Sequence, residues 1–172
     1  TWDNFPEHGI RESWRRFLGL GELIAERRYH YPRTSRFTAK PSLALSRSAP
    51  RSLRAFAADL AHRCRVFPCF QGATVQGDLE AEVTLVATGV GCHVPTLEML
   101  ELGADALVVT FDRALQETIR IPLSEMGANV VAVEHGVAEM PGMRRMAAYL
   151  EDVFPALDCT FYCREPAAET VM

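Results

Sequence analysis

No apolar run in the 172 residues approaches the roughly 20 that a membrane-spanning helix requires. A surplus of positive charge is missing too: the net charge of -4 leaves no basic footprint for nucleic acid. The early arginines Arg11, Arg15, Arg16, Arg27 and Arg28 are interleaved with acids, the pattern of a solvated helix face. No secretory leader is visible, although the chain opens at Thr1, so an upstream segment can be absent. There is no disulfide framework either. Five cysteines, Cys64, Cys69, Cys92, Cys159 and Cys163, form an odd set without framework spacing, which argues for a reducing, cytoplasmic setting. Cys159 and Cys163 invite reading as a metal clip. Four strand residues span roughly 13 Å at about 3.3 Å each, so both read instead as small half-buried side chains. No repeat recurs at a fixed period.

What is present suits one soluble globular domain. Hydrophobic residues make up 48% and charged residues 23%, in a chain long enough to bury most of its unfolded surface. The spacing of Ile10, Trp14, Phe17 and Leu18 predicts a helix over 9–20, closed by Gly19 and Gly21. Residues 28–50 carry aromatics, Pro32, Pro41, Pro50 and many Ser and Thr, so a loop or an irregular strand pair is expected there. The whole of 28–80 reads as a less regular inserted or linking segment. Within it, Leu53, Phe56, Ala57 and Leu60 predict a helix over 52–63, and residues 66–70 and 73–76 read as strand.

The second half is regular. Strands are predicted at 83–88, 106–109, 129–134 and 157–162. Between them lie helices at 94–102, 112–126 and 141–153, with Pro122 expected to kink or split the second. Strands continuous in Val and Leu, alternating with such helices, give an α/β fold with a largely parallel buried sheet and flanking helices.

Chemistry concentrates after the last valine-rich run. Val130, Val131 and Val133 lead to His135, Glu139 follows four residues on, and then come Pro141 and Gly142. A histidine and a carboxylate at the carboxyl end of a strand stand where open α/β sheets bind ligands. Imidazole plus carboxylate is also a donor set for a divalent metal. His135 alone reads more often as a hydrogen-bonded histidine at a strand end. Asp3 lies just before the first helix, where Asp serves most often as a cap. His93 follows the glycine turn Gly89-Val90-Gly91; it reads as a cap of the 94–102 helix or as a catalytic acid/base facing the same cleft. Asp112 reads as a helix N-cap. The glycine turn itself lacks the full phosphate-loop pattern.

The run from Gly127 to Leu150, with Phe154-Pro155 shortly after, resembles the C-terminal signature of the NIF-three-like family, also called GTP cyclohydrolase I type 2 homologues. Two further stretches are similar to family features. Thr1-Trp2-Asp3 through Leu18-Gly19-Leu20 resembles the Asp-bearing turn before a helix ending in Leu-Gly. Thr88-Gly89-Val90-Gly91, followed by Leu102-Gly103-Ala104-Asp105, resembles the glycine turn and the helix behind it. The likeness is strong at 127–154 and looser between 28 and 80.

The resemblance implies a pair of divalent ions held by adjacent N-terminal histidines, an Asp, and the later His and Glu. Asp3, His135 and Glu139 match three of those positions, and Glu139 suits the bridging role between ions roughly 3.5–4 Å apart. The adjacent histidines have no counterpart and are expected upstream of Thr1, which makes this the C-terminal portion of a longer protein. Two departures stand out: Thr110-Phe111-Asp112 has Gln116 where the family carries a His, and Glu134 replaces a glycine. The implied activity is metal-dependent hydrolysis of a small nucleotide-like or cyclic substrate, in a cytoplasmic ring-shaped hexamer. The alternative is a non-enzymatic metal-binding, metal-delivering or regulatory scaffold protein. Zinc, iron and manganese are not distinguished, and no nucleic-acid or membrane partner is expected.

Overall fold

The computed structural model of the chain describes residues 2–28, 42–92, 94–114, 116–163 and 165. A short 3-10 turn (Trp2–Asn4) precedes α1 (Ile10–Phe17), β1 (Leu23–Arg28), β2 (Ser42–Ser52), α2 (Leu53–Cys64) and β3 (Thr74–Gln76). Then follow β4 (Glu82–Thr88), α3 (Thr96–Glu101), β5 (Ala106–Thr110), α4 (Phe111–Ala114), α5 (Glu117–Glu125), β6 (Val130–Val133) and α6 (His135–Val153).

The three valine-rich runs β4, β5 and β6 lie side by side and parallel, with Val86 beside Ala106 and Val108 beside Val131. Every residue of β5 and β6 is buried, as a parallel sheet covered on both faces requires. β2 pairs antiparallel to β4, β1 to β2, and the short β3 to β6, giving the order β1-β2-β4-β5-β6-β3. The α/β class stands, and the expected parallel character belongs to the three central strands.

Alternation along those strands builds two cores. Ala106, Val108, Val131 and Val133 pack with α1, α2 and α6 on one face; Leu107, Val109, Val130 and Ala132 pack with α3 and α5 on the other. Helix α1 supplies Ile10 and Trp14, one turn apart, to the first core.

Several local expectations change. Of 28–50, residues 42–50 belong to the eleven-residue strand β2, and 29–41 lie outside the described residues. The partner of β2 is β1, which lies before that segment, and their register shifts between Leu23 and Ala25. Residues 66–70 form turns rather than strand, with Val66, Phe67 and Phe70 each donating to a carbonyl three residues back. Residues 157–162 also form no strand, although their composition suits one. The 112–126 pattern does split, but between the end of α4 at Ala114 and the start of α5 at Glu117, and Pro122 sits inside α5. Gln116 is extended there, and its Nε2 donates to the Asp112 carbonyl at 2.6 Å, satisfying the end of α4.

The last helix begins at His135, six residues before the expected start. Pro141 reads as a first helical residue because its fixed φ suits that position, yet it is accommodated inside α6. Burial of Val137, Ala138 and Gly142 offsets the missing hydrogen bond. Gly142 also permits the close approach of α6 to α1: a Cβ there would stand 2.5 Å from the Ile10 Cα. Backbone cannot yield as a side-chain tip can.

Gly142→Val is therefore expected to lower stability by about 1–3 kcal/mol through overpacking, read as a reduced denaturation midpoint. Met143→Leu, on the exposed side of the same helix, should stay within about 0.5 kcal/mol of the parent. Equal midpoints for the two variants would contradict the α1–α6 contact.

Candidate functional site

The site is made where β5 and β6 end. Their parallel register places Thr110 beside Val133, so the residues just past each strand emerge next to one another. Asp112 enters the first turn of α4, and His135 opens α6. The fully buried Thr110 hydroxyl donates to Asp112 Oδ1, which turns the other carboxylate oxygen toward His135. Asp112 Oδ2 lies 2.8 Å from His135 Nδ1. One helical turn on, Glu139 Oε1 lies 3.2 Å from His135 Nε2. The imidazole thus sits between two carboxylates, with all three side chains half-exposed (35–40%).

That arrangement fixes the electrostatics. The hydrogen bond to Glu139, opposed by burial and reinforced by Asp112, pushes the His135 imidazolium up to about 9. His135 also occupies the amino end of α6, where a helix favours anions over cations. Two carboxylates overcome that bias. The protonated ring donates Nδ1–H to Asp112 and Nε2–H to Glu139.

Structure brings His135 and Glu139 together, as the His-x-x-x-Glu spacing suggests, but on one face of a helix rather than in a turn. Asp3 belongs to a different element. It is exposed on the 3-10 turn, and no described hydrogen bond or ion pair joins it to His135 or Glu139. Trp2 Nε1 ties this turn to α6 through the Gly142 carbonyl at 3.0 Å. Asp3 lines a cleft of about 250 Å³ with Thr88, Glu12 and Arg16, bordered by Leu23 and Glu26 of β1 and Ala44 of β2. His93 lies outside the described residues. Among the described residues, no three His, Cys, Asp or Glu side chains form a group that could hold an ion by themselves.

Asp112, which reads as a helix cap in the sequence, is the side chain that meets His135 Nδ1. Its signal was the Thr110-Phe111-Asp112 run, which resembles a family motif without saying which residue it would meet.

No family profile and no curated protein matches the sequence. Solved structures do match. SA1388 from Staphylococcus aureus is 13% identical with a TM-score of 0.65, over 86% of this chain and 57% of that one. TTHA1606 from Thermus thermophilus is 21% identical with a TM-score of 0.64, over 98% of this chain and 59% of that one. A Bacillus cereus protein related to NIF3 is 19% identical with a TM-score of 0.56, over 77% of this chain and 35% of that one. The chain thus has a NIF3-like fold, and it spans little more than half the length of the S. aureus protein.

In metal-free protein, Asp112→Asn is expected to lower the His135 titration midpoint by about 1 pH unit or more, followed by NMR of the ring protons. Because the folded value of about 9 exceeds the ordinary 6.5, the His135 ion pair stabilises fully below pH 6.5 and its contribution is lost as pH rises to 9. An unchanged midpoint in the variant would contradict the Asp112 contact.

Proposed function

We propose that the chain is part of a NIF-three-like protein that binds a divalent metal through His135 Nε2 and Glu139 Oε1. The observation that supports this is the 3.2 Å approach of those two atoms, with Asp112 engaging the opposite ring nitrogen at 2.8 Å. A carboxylate behind a ligand imidazole fixes its tautomer and its orientation. The donor set therefore fits a metal, though with two donors rather than the full set. Asp3 is the third donor that the resemblance supplies, and no described hydrogen bond or ion pair brings it to the other two. No two of the five histidines are adjacent in this sequence, so the paired ligands of a second ion would have to come from elsewhere in a longer chain. One imidazole and one carboxylate suit zinc, iron or manganese alike.

When bound, such an ion polarises a carbonyl or phosphoryl oxygen and acidifies a coordinated water. The proposed activity is hydrolysis of a small nucleotide-like or cyclic substrate, by a cytoplasmic protein that is hexameric by resemblance. The chain's own residues contribute orientation and selection. Thr110 and Asp112 hold His135 in place. The cleft beside Asp3 carries four acids, Asp3, Glu7, Glu12 and Glu26, against Arg11 and Arg16. That excess repels a bare anion and favours a neutral or cation-neutralised substrate. No helix among the described residues is long and apolar enough to cross a membrane.

A second reading, a metal-delivering or regulatory scaffold protein, draws on one observation: both donors are half-exposed, which suits exchange with an acceptor.

Titration of the full protein with zinc and with manganese tests the site. His135→Ala and Glu139→Ala should each weaken binding at least tenfold, and Asp112→Asn about 10–100-fold through loss of ring orientation. Asp59→Ala, in an ion pair with Arg51 and Arg63 elsewhere, should bind as the parent does. Equal affinities across all four variants would refute the site. Saturable turnover in a panel of nucleotides and phosphoesters, abolished by chelation, supports the hydrolase. A silent panel together with metal transfer to an acceptor protein supports delivery instead.

A further inference from the structure

The cleft that holds Asp3 has a floor laid by strand pairing. Glu26 of β1 lies opposite Ala44 of β2, and Ala44 opposite Thr88 of β4, so their side chains form one row on one face of the sheet. The row runs on into Val108 of the first core, which places it on the face that α1 covers. Ala44 is short, so a trough is left between the Glu26 carboxylate and the Thr88 hydroxyl. All three residues line the cleft, and Asp3, Phe5 and Glu7, ahead of α1, line it with them.

Two features of this trough select a ligand. Thr88 is only 4% exposed, yet its hydroxyl has no hydrogen-bond partner among the described residues. A buried hydroxyl without a partner is costly, and a polar ligand atom in the cleft would supply one. The acids are uncommitted as well. Glu12 is held by Arg15 and Arg16, but among the described residues no hydrogen bond or ion pair engages the carboxylates of Asp3, Glu7 or Glu26. Nor do these acids close round a common point as ligands of one metal ion would. Negative charge spread through a cleft that Phe5, Leu23 and Ala44 also line suits positive charges spaced along a hydrocarbon chain.

We propose that this cleft binds a short aliphatic diamine, one ammonium seated over Ala44 between Glu26 and Thr88 and the other turned to Asp3 and Glu7. Glu26 and Thr88 stand two strands apart, roughly 10 Å, so a group over Ala44 reaches an acceptor on either side. An ammonium brings three donors and no acceptor, the complement of two carboxylate oxygens and a hydroxyl. The four acids of the cleft outnumber Arg11 and Arg16 by two, which matches a dication. The volume of about 250 Å³ falls short of the roughly 300–1,000 Å³ of drug-sized pockets, so the ligand is small. This inference goes beyond the metal reading and does not rest on it, since Glu26 and Thr88 have no part in the contacts of His135.

Calorimetric titration of the metal-free full chain with 1,4-diaminobutane at low ionic strength tests the cleft. Binding should saturate at one site and weaken as salt is raised. Glu26→Gln, an exposed position on an edge strand, should weaken it about tenfold, and the near-isosteric Thr88→Val about threefold. 1-Aminobutane, with a single ammonium, should bind about tenfold more weakly than the diamine, and inorganic phosphate should not bind. His135→Ala should leave diamine affinity unchanged, and Glu26→Gln should leave zinc affinity unchanged, so the two sites succeed or fail separately. No saturable diamine binding, equal affinity for the monoamine, tighter binding of phosphate, or parental affinity in both cleft variants would each overturn the proposal.

Discussion

The pairing of β5 with β6 governs the chemistry that this chain can perform. Thr110 beside Val133 is one rung of a parallel ladder, and it decides that Asp112 and His135 meet two residues later. Slipping that ladder by a single residue would turn every side chain of a strand to the opposite face. Both faces of these strands are buried in separate cores, so the slip would send side chains shaped for one core into the other. A polar contact at the rim is thus held by apolar packing beneath it. The interior is stiff enough to keep a 2.8 Å distance at a half-exposed site.

A conflict is built into that rim. Helix α6 presents its positive end to the loop after β6, and the residue placed there is a histidine. An isolated imidazolium would be disfavoured at that position. Asp112 from the neighbouring strand and Glu139 from the next turn reverse the preference, the first across the sheet and the second along the helix. The arrangement collects negative charge on both nitrogens of one imidazole ring.

How far the sequence discloses all this depends on the range of the interaction. The central strands are legible because apolar Val runs have few other fates, and the spacing of His135 and Glu139 suggests their pairing although the helix that makes it does not show in the sequence before Pro141. Asp112 is not legible as the partner of His135, because their contact depends on a register between strands that no local pattern encodes. Local rules also misplace boundaries. Pro141 and Gly142 imitate a helix start, although tertiary packing carries α6 through them. At 66–70 the alternation of Phe67 and Cys69 is real burial without a ladder, since both side chains point into a core while the backbone turns. Residues 157–162 have strand composition but pair with no described strand. Composition proposes a strand; only a partner makes one.

The two tryptophans occupy opposite situations, which gives the molecule a built-in optical gauge. Trp14 is 1% exposed in the first core, so its emission changes only when that core opens. Trp2 is half-buried, stacked on Phe5 at 5.2 Å and beside Tyr149, with its indole N–H on the Gly142 carbonyl. It sits in the same turn as Asp3 and is held by the same helix as Glu139. Red-edge fluorescence from Trp2 therefore follows the docking of that turn on α6 while Trp14 stays dark to it, separating local loosening from global collapse within one spectrum.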